Sequence, residues 1–111
     1  MTKLEFEESI RKEKLIQIHD GRNVKTYIDA NQIYNEDGEW TSNEVNVYGC
    51  FQSKKSGEFI IFITDEERGI PTYISKYKNA EDAYAELYKK IARLERIYIK
   101  KYCLPRECSS N

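Results

Sequence analysis

Nothing in the sequence approaches the ~20 consecutive apolar residues of a membrane-spanning helix; its most apolar run, Phe59 to Ile63, has five. A membrane protein of the helical type is therefore not expected. The opening residues, Met-Thr-Lys-Leu-Glu-Phe-Glu-Glu, are charged and lack the apolar core of a secretory signal, so the expected compartment is the cytoplasm. Histidine occurs once, at His19, and no serine or cysteine nucleophile can be tied to it by spacing. The three cysteines, Cys50, Cys103 and Cys108, form no Cys-x-x-Cys pair; zinc is not expected, and their odd number suits a reducing compartment. The five glycines, at 21, 38, 49, 57 and 69, are isolated and build no phosphate cradle. Repeats, low-complexity runs and linkers are missing too. These absences argue against an enzyme and against any cofactor or metal. They point to one domain over residues 1–104, with 105–111 as a flexible tail.

What is present is aromatic and charged. Aromatic residues make up 13% of the chain, and nine of them are tyrosines; side chains that large favour a packed core over disorder. The net charge of −1 gives the whole molecule no pull toward nucleic acid or anionic membrane.

The periodicities predict an α+β fold, with a mostly antiparallel sheet of about four strands, an N-terminal helix and a long C-terminal helix. Thr2 and Glu5 fit a capping box for a helix over Leu4 to Lys14, with a narrow apolar stripe of Leu4, Phe6 and Ile10. Asp20-Gly21 signals a hairpin turn, although a helix continuing through Ile18 is the competing reading. Strands are expected around Val24 to Ile28, Glu44 to Gln52 and Thr72 to Tyr77. Phe59 to Ile63 is β-branched and aromatic with two apolar faces, which predicts the central strand. Asn79 reads as an N-cap with Glu81 and Asp82 in the first turn. Ala83, Leu87, Ile91, Leu94 and Tyr98 form the apolar face of a helix running to about Tyr102, long enough that its end could also support a homodimer.

Charge is unevenly distributed. Residues 26–53 contain no lysine or arginine but carry Asp29, Glu36, Asp37, Glu39 and Glu44 among Tyr34, Trp40 and Tyr48. Such a surface suits a basic partner, with charge steering association and aromatics anchoring it. Residues 76–106 hold nine basic and four acidic residues. A nucleic-acid-binding or regulatory role through this helix is the alternative reading, though stacking platforms and zinc knuckles are missing and nucleic acid is not the expected partner.

One stretch carries a resemblance. Phe-Ile-Ile-Phe-Ile-Thr-Asp-Glu-Glu-Arg-Gly over 59–69, followed by Tyr-Lys-Asn-Ala-Glu-Asp-Ala-Tyr over 77–84, resembles small bacterial immunity proteins of polymorphic toxin and contact-dependent growth-inhibition systems. Glu66-Glu67 is doubled here, and Phe59 stands where tryptophan is more usual. The resemblance implies a non-enzymatic inhibitor that binds a cognate toxin domain, often a nuclease, in the producing cell's cytoplasm. The partner contacts expected are Asp29, Glu36, Asp37, Glu39, Trp40 and Glu44, with Asp65, Glu66, Glu67 and Arg68 extending or bracing the surface.

Overall fold

The computed structural model describes residues 1–16, 18–19, 22–23, 25–32 and 45–102. Helix α1 spans Lys3–Lys12. Thr2 starts it through the expected capping box: its Oγ1 accepts from the Glu5 amide at 3.1 Å, and Glu5 Oε1 accepts from the Thr2 amide at 3.0 Å. The helix stops short of Ile18. Lys14 takes a left-handed conformation (φ 52°), its amide donates to Arg11 O, and the Leu15 amide donates to Ile10 O. This paired closure ends a helix and turns Leu15 into the core. The hairpin reading follows: β1, Ile18–His19, pairs antiparallel with β2, Arg22–Asn23.

Four strands make the main sheet: β3 (Thr26–Asp29), β4 (Val47–Gln52), β5 (Phe59–Thr64) and β6 (Pro71–Tyr77), in spatial order β3-β4-β5-β6. Strand β5, the apolar run, is interior as its two apolar faces require. The β4–β5 and β5–β6 pairs are antiparallel, whereas β3 runs parallel to β4. A parallel pair needs a crossover, and the chain leaves β3 through a 3-10 turn at Ala30–Gln32 to make it.

One sheet face packs on the helices. Tyr48, Cys50, Ile61 and Ile63 meet Phe6 and Leu15 from the N-terminal segment, and Ala83, Tyr84, Leu87 and Ile91 from helix α2 (Ala80–Tyr102). Phe6 is fully buried, its ring edge-on to Tyr27 at 4.9 Å and 5.3 Å from Tyr84; complete burial of one such ring contributes about 2–3 kcal/mol. The other face carries a smaller cluster of Ala30, Val47, Phe51 and Phe62. There Gly49 pairs with Phe62 across the ladder, and the Phe62 ring lies directly over it.

Asn79 caps α2 by accepting the Asp82 amide at 2.9 Å. The apolar face of this helix differs from the expected one in its later turns. Leu94 is 38% exposed, and Glu95, one position on, is completely buried. Four residues beyond Ile91 the helix returns to the sheet, so position 95 and not 94 faces Tyr48. The side chain of Tyr98 lies outside the described residues.

Candidate protein-interaction surface

The corner after β5 is built by Asp65. Its Oδ1 accepts backbone N–H groups from Glu67, Arg68 and Gly69 at 3.2, 2.8 and 2.8 Å, with Ile70 at 3.4 Å. Its main chain closes the same loop: the Asp65 amide donates to Ile70 O at 3.0 Å, and Asp65 O accepts the Asn46 amide at 2.7 Å. Gly69 supplies the left-handed residue (φ 72°) that lets the chain reverse. Thr64 is buried and accepts the Val47 amide on its hydroxyl at 3.0 Å. Thr64, Asp65 and Gly69 therefore hold the corner, while Glu66, Glu67 and Arg68 stand exposed on it.

The Arg68 amide, followed by the other amides bonded to Oδ1, holds the Asp65 carboxyl below its ordinary pKa. The cap is therefore at full strength at neutral pH and weakens as pH falls through the folded carboxyl's pKa. Asp65→Ala is expected to remove the protection of the amides of residues 67–70 against hydrogen exchange, and Asp65→Asn, which keeps one acceptor oxygen, to remove only part of it. Unchanged protection in the alanine variant would show that the backbone holds the loop unaided.

Lys25 backs the corner. Its Nζ donates to Thr64 O at 2.7 Å and Asn46 Oδ1 at 3.1 Å, and burial holds the ammonium below its usual pKa despite the nearby carboxylates of Glu66, Glu95 and Asp65.

Asp29 occupies a different place. It is ion-paired with Lys3 from α1 and accepts the Asn31 amide and side chain at 3.2 and 2.9 Å. Burial works against its charge, but these bonds hold the carboxyl below its ordinary pKa. The register sets Asp29 beside Cys50, whose other neighbour is Ile61, so Asp29 lies two strands from β5, which leads into the 65–68 corner. The structure thus does not bring Asp29 to that corner. Glu36, Asp37, Glu39, Trp40 and Glu44 lie outside the described residues, as does the expected tail at 105–111.

The face opposite α1 and α2 carries a groove of about 350 Å³ lined by Phe51, Ile60, Phe62, Ile74 and Lys76 among others. On the basic helix, Lys90 Nζ sits 4.6 Å from the centre of the Tyr73 ring, and Arg96 donates to Glu13 at 3.2 Å. Both cations are therefore already engaged within the fold.

Glu95 was not singled out by sequence reasoning. Tyr48 donates its hydroxyl to Glu95 Oε2 at 2.8 Å, whereas buried Oε1 has no hydrogen-bond partner among the described residues. Burial pushes its pKa up to about 7, against the opposing effects of the Tyr48 bond and the Lys25 charge. Cys50 is fully buried, and burial pushes its thiol up to about 11, which suits an inert core residue. Among the described residues no group of histidine, cysteine and carboxylate side chains could hold a metal ion, and no helix is long and apolar enough to cross a membrane. No family model, curated protein or solved structure matches this chain.

Proposed function

We propose that this chain is a protein-binding inhibitor of the immunity type, which neutralises a cognate bacterial toxin domain by contact and without catalysis. The supporting observation is the corner at 65–69. Asp65 fixes the loop from within, so Glu66 and Glu67 are presented on an already ordered backbone. An ordered loop loses little conformational entropy on binding. A pair of exposed carboxylates suits a basic partner surface, as a nuclease active site would offer, and Glu36, Asp37, Glu39, Trp40 and Glu44 would extend the contact.

The test begins with the reading frame immediately upstream. Its C-terminal domain is expressed with and without this protein, while growth and co-purification are followed. Growth arrest relieved by a stable 1:1 complex is the expected result; a harmless neighbour, or arrest without rescue, would overturn the reading. With the complex in hand, the double variant Glu66→Lys, Glu67→Lys should slow association by about tenfold or more at low ionic strength, with a smaller effect as salt rises. An association rate equal to wild type at low salt would remove the corner from the interface.

A further inference from the structure

The burial of Glu95 removes the one carboxylate from the surface of α2's distal half. From Leu87 to Tyr102 the helix carries six basic residues, Lys89, Lys90, Arg93, Arg96, Lys100 and Lys101, and one acidic residue, Glu95. Glu95 is completely buried against Tyr48, so this half of the helix offers solvent no acid of its own. Lys90 lies over the Tyr73 ring, and Arg96 pairs with Glu13. Lys89, Arg93 and Lys100 are exposed, and none of them is ion-paired among the described residues.

Spacing makes these three cations one stripe. Lys89, Arg93, Ile97 and Lys100 follow one another at i, i+4, i+8 and i+11, which sets them on one helix face over roughly 16 Å. That face is turned away from the sheet, which Leu87, Ile91 and Glu95 meet. Ile97, inside the cationic row, is 53% exposed, and Leu94 beside it is 38% exposed. We infer that this stripe is a docking surface for an anionic phospholipid membrane. Helix α2 lies on the membrane with Ile97 and Leu94 entering the headgroup boundary and Lys89, Arg93 and Lys100 among the phosphates.

Charge and apolar exposure together select this occupant. Aliphatic side chains framed by cations are what an anionic lipid surface rewards, and each cation held near it adds to the attraction. A second copy docked through the same stripe would set cation against cation, which is unfavourable. A nucleic-acid backbone would engage the cations but leave both aliphatic side chains in water. The whole chain carries a net charge of −1, so the attraction is local to this face and reaches about one Debye length, ~10 Å at 0.1 M salt. This association is independent of toxin binding and is tested on the protein alone.

Co-sedimentation with phosphatidylcholine vesicles, with and without about one-third phosphatidylglycerol, reads the association. At about 50 mM salt the protein should pellet with the phosphatidylglycerol vesicles and stay in solution with phosphatidylcholine alone, and about 0.5 M salt should release it. Arg93→Glu with Lys100→Glu should lower the partition coefficient by at least about tenfold, and Ile97→Gln by about fivefold. All three positions are exposed, so thermal stability should stay nearly unchanged. Should the charge reversal fail to fold, Arg93→Gln with Lys100→Gln decides. A protein that ignores anionic vesicles at low salt, or pelleting that the charge variants leave intact, would overturn the inference. So would binding to duplex DNA that the charge variants abolish while Ile97→Gln leaves both DNA and vesicle binding unchanged; that result would assign the stripe to nucleic acid.

Discussion

Gly49→Ala is expected to lower the unfolding free energy by about 3 kcal/mol, at the upper end of what overpacking a core costs. A Cβ added at Gly49 would sit 2.1 Å from Cζ of Phe62 and within 2.8 Å of both Cε atoms. All three distances lie far inside van der Waals contact. The ring has little room to retreat, because Phe62 is 2% exposed and packs edge-on against Phe51 at 6.1 Å between centroids. The strain must therefore pass to the β4–β5 ladder or to the small cluster of Ala30, Val47 and Phe51 around the ring. Urea denaturation should show a lower midpoint with an unchanged slope. Adding Phe62→Leu to the alanine variant should recover part of the loss, because the smaller side chain vacates the contested volume; the two changes would then be non-additive. An alanine variant within about 0.5 kcal/mol of wild type, the range of ordinary surface changes, would show that the ring moves freely.

The second large effect is a pH dependence centred on Glu95. Its carboxyl has a pKa of about 7 in the folded chain against an ordinary 4.5. The folded state therefore binds the proton more tightly than the unfolded state. The protonated form is favoured at low pH, and stability falls as pH rises from about 4.5 through 7. Burial supplies the shift, and the loss across this window is on the order of 2–3 kcal/mol. Glu95→Gln keeps an oxygen acceptor for Tyr48 and removes the titration. The difference in stability between the two proteins should change with pH in that window, the glutamine variant gaining relative to wild type toward pH 8. Two parallel stability–pH curves would mean that Glu95 stays ionised throughout, with Lys25 or water stabilising its charge.

The central strand and Glu95 show what could be read in the sequence and what could not. The central strand was legible because Phe59 to Ile63 is apolar on both alternating faces, and only an interior strand has cover for both. The ends of the helices were legible because Thr2, Glu5 and Asn79 act on their own neighbours. Glu95 was not legible. Leu94 and Glu95 both lie within helical reach of Ile91, hydropathy alone selects the leucine, and only the position of Tyr48 on β4 selects the glutamate. The parallel pairing of β3 with β4 was hidden for a similar reason, since alternation looks the same whichever way the neighbouring strand runs. At the candidate site, the charge of the 65–68 corner could be read directly. Its division into Asp65, which accepts four amides, and Glu66 and Glu67, which face solvent, required the three-dimensional path of the loop.

The packing of Phe6 has a consequence for how the chain comes off the ribosome. Its partners are Tyr27, on the edge strand that must wait for the crossover to β4, and Tyr84, on helix α2. Strands β4, β5 and β6 follow one another as hairpins and lead directly into α2, so residues 47–102 can assemble from neighbours in sequence. Helix α1 emerges before these elements but completes its packing only with them. Until α2 has been synthesised, Phe6 lacks the Tyr84 side of its pocket, so α1 waits through the synthesis of residues 47–102 for its full tertiary contacts.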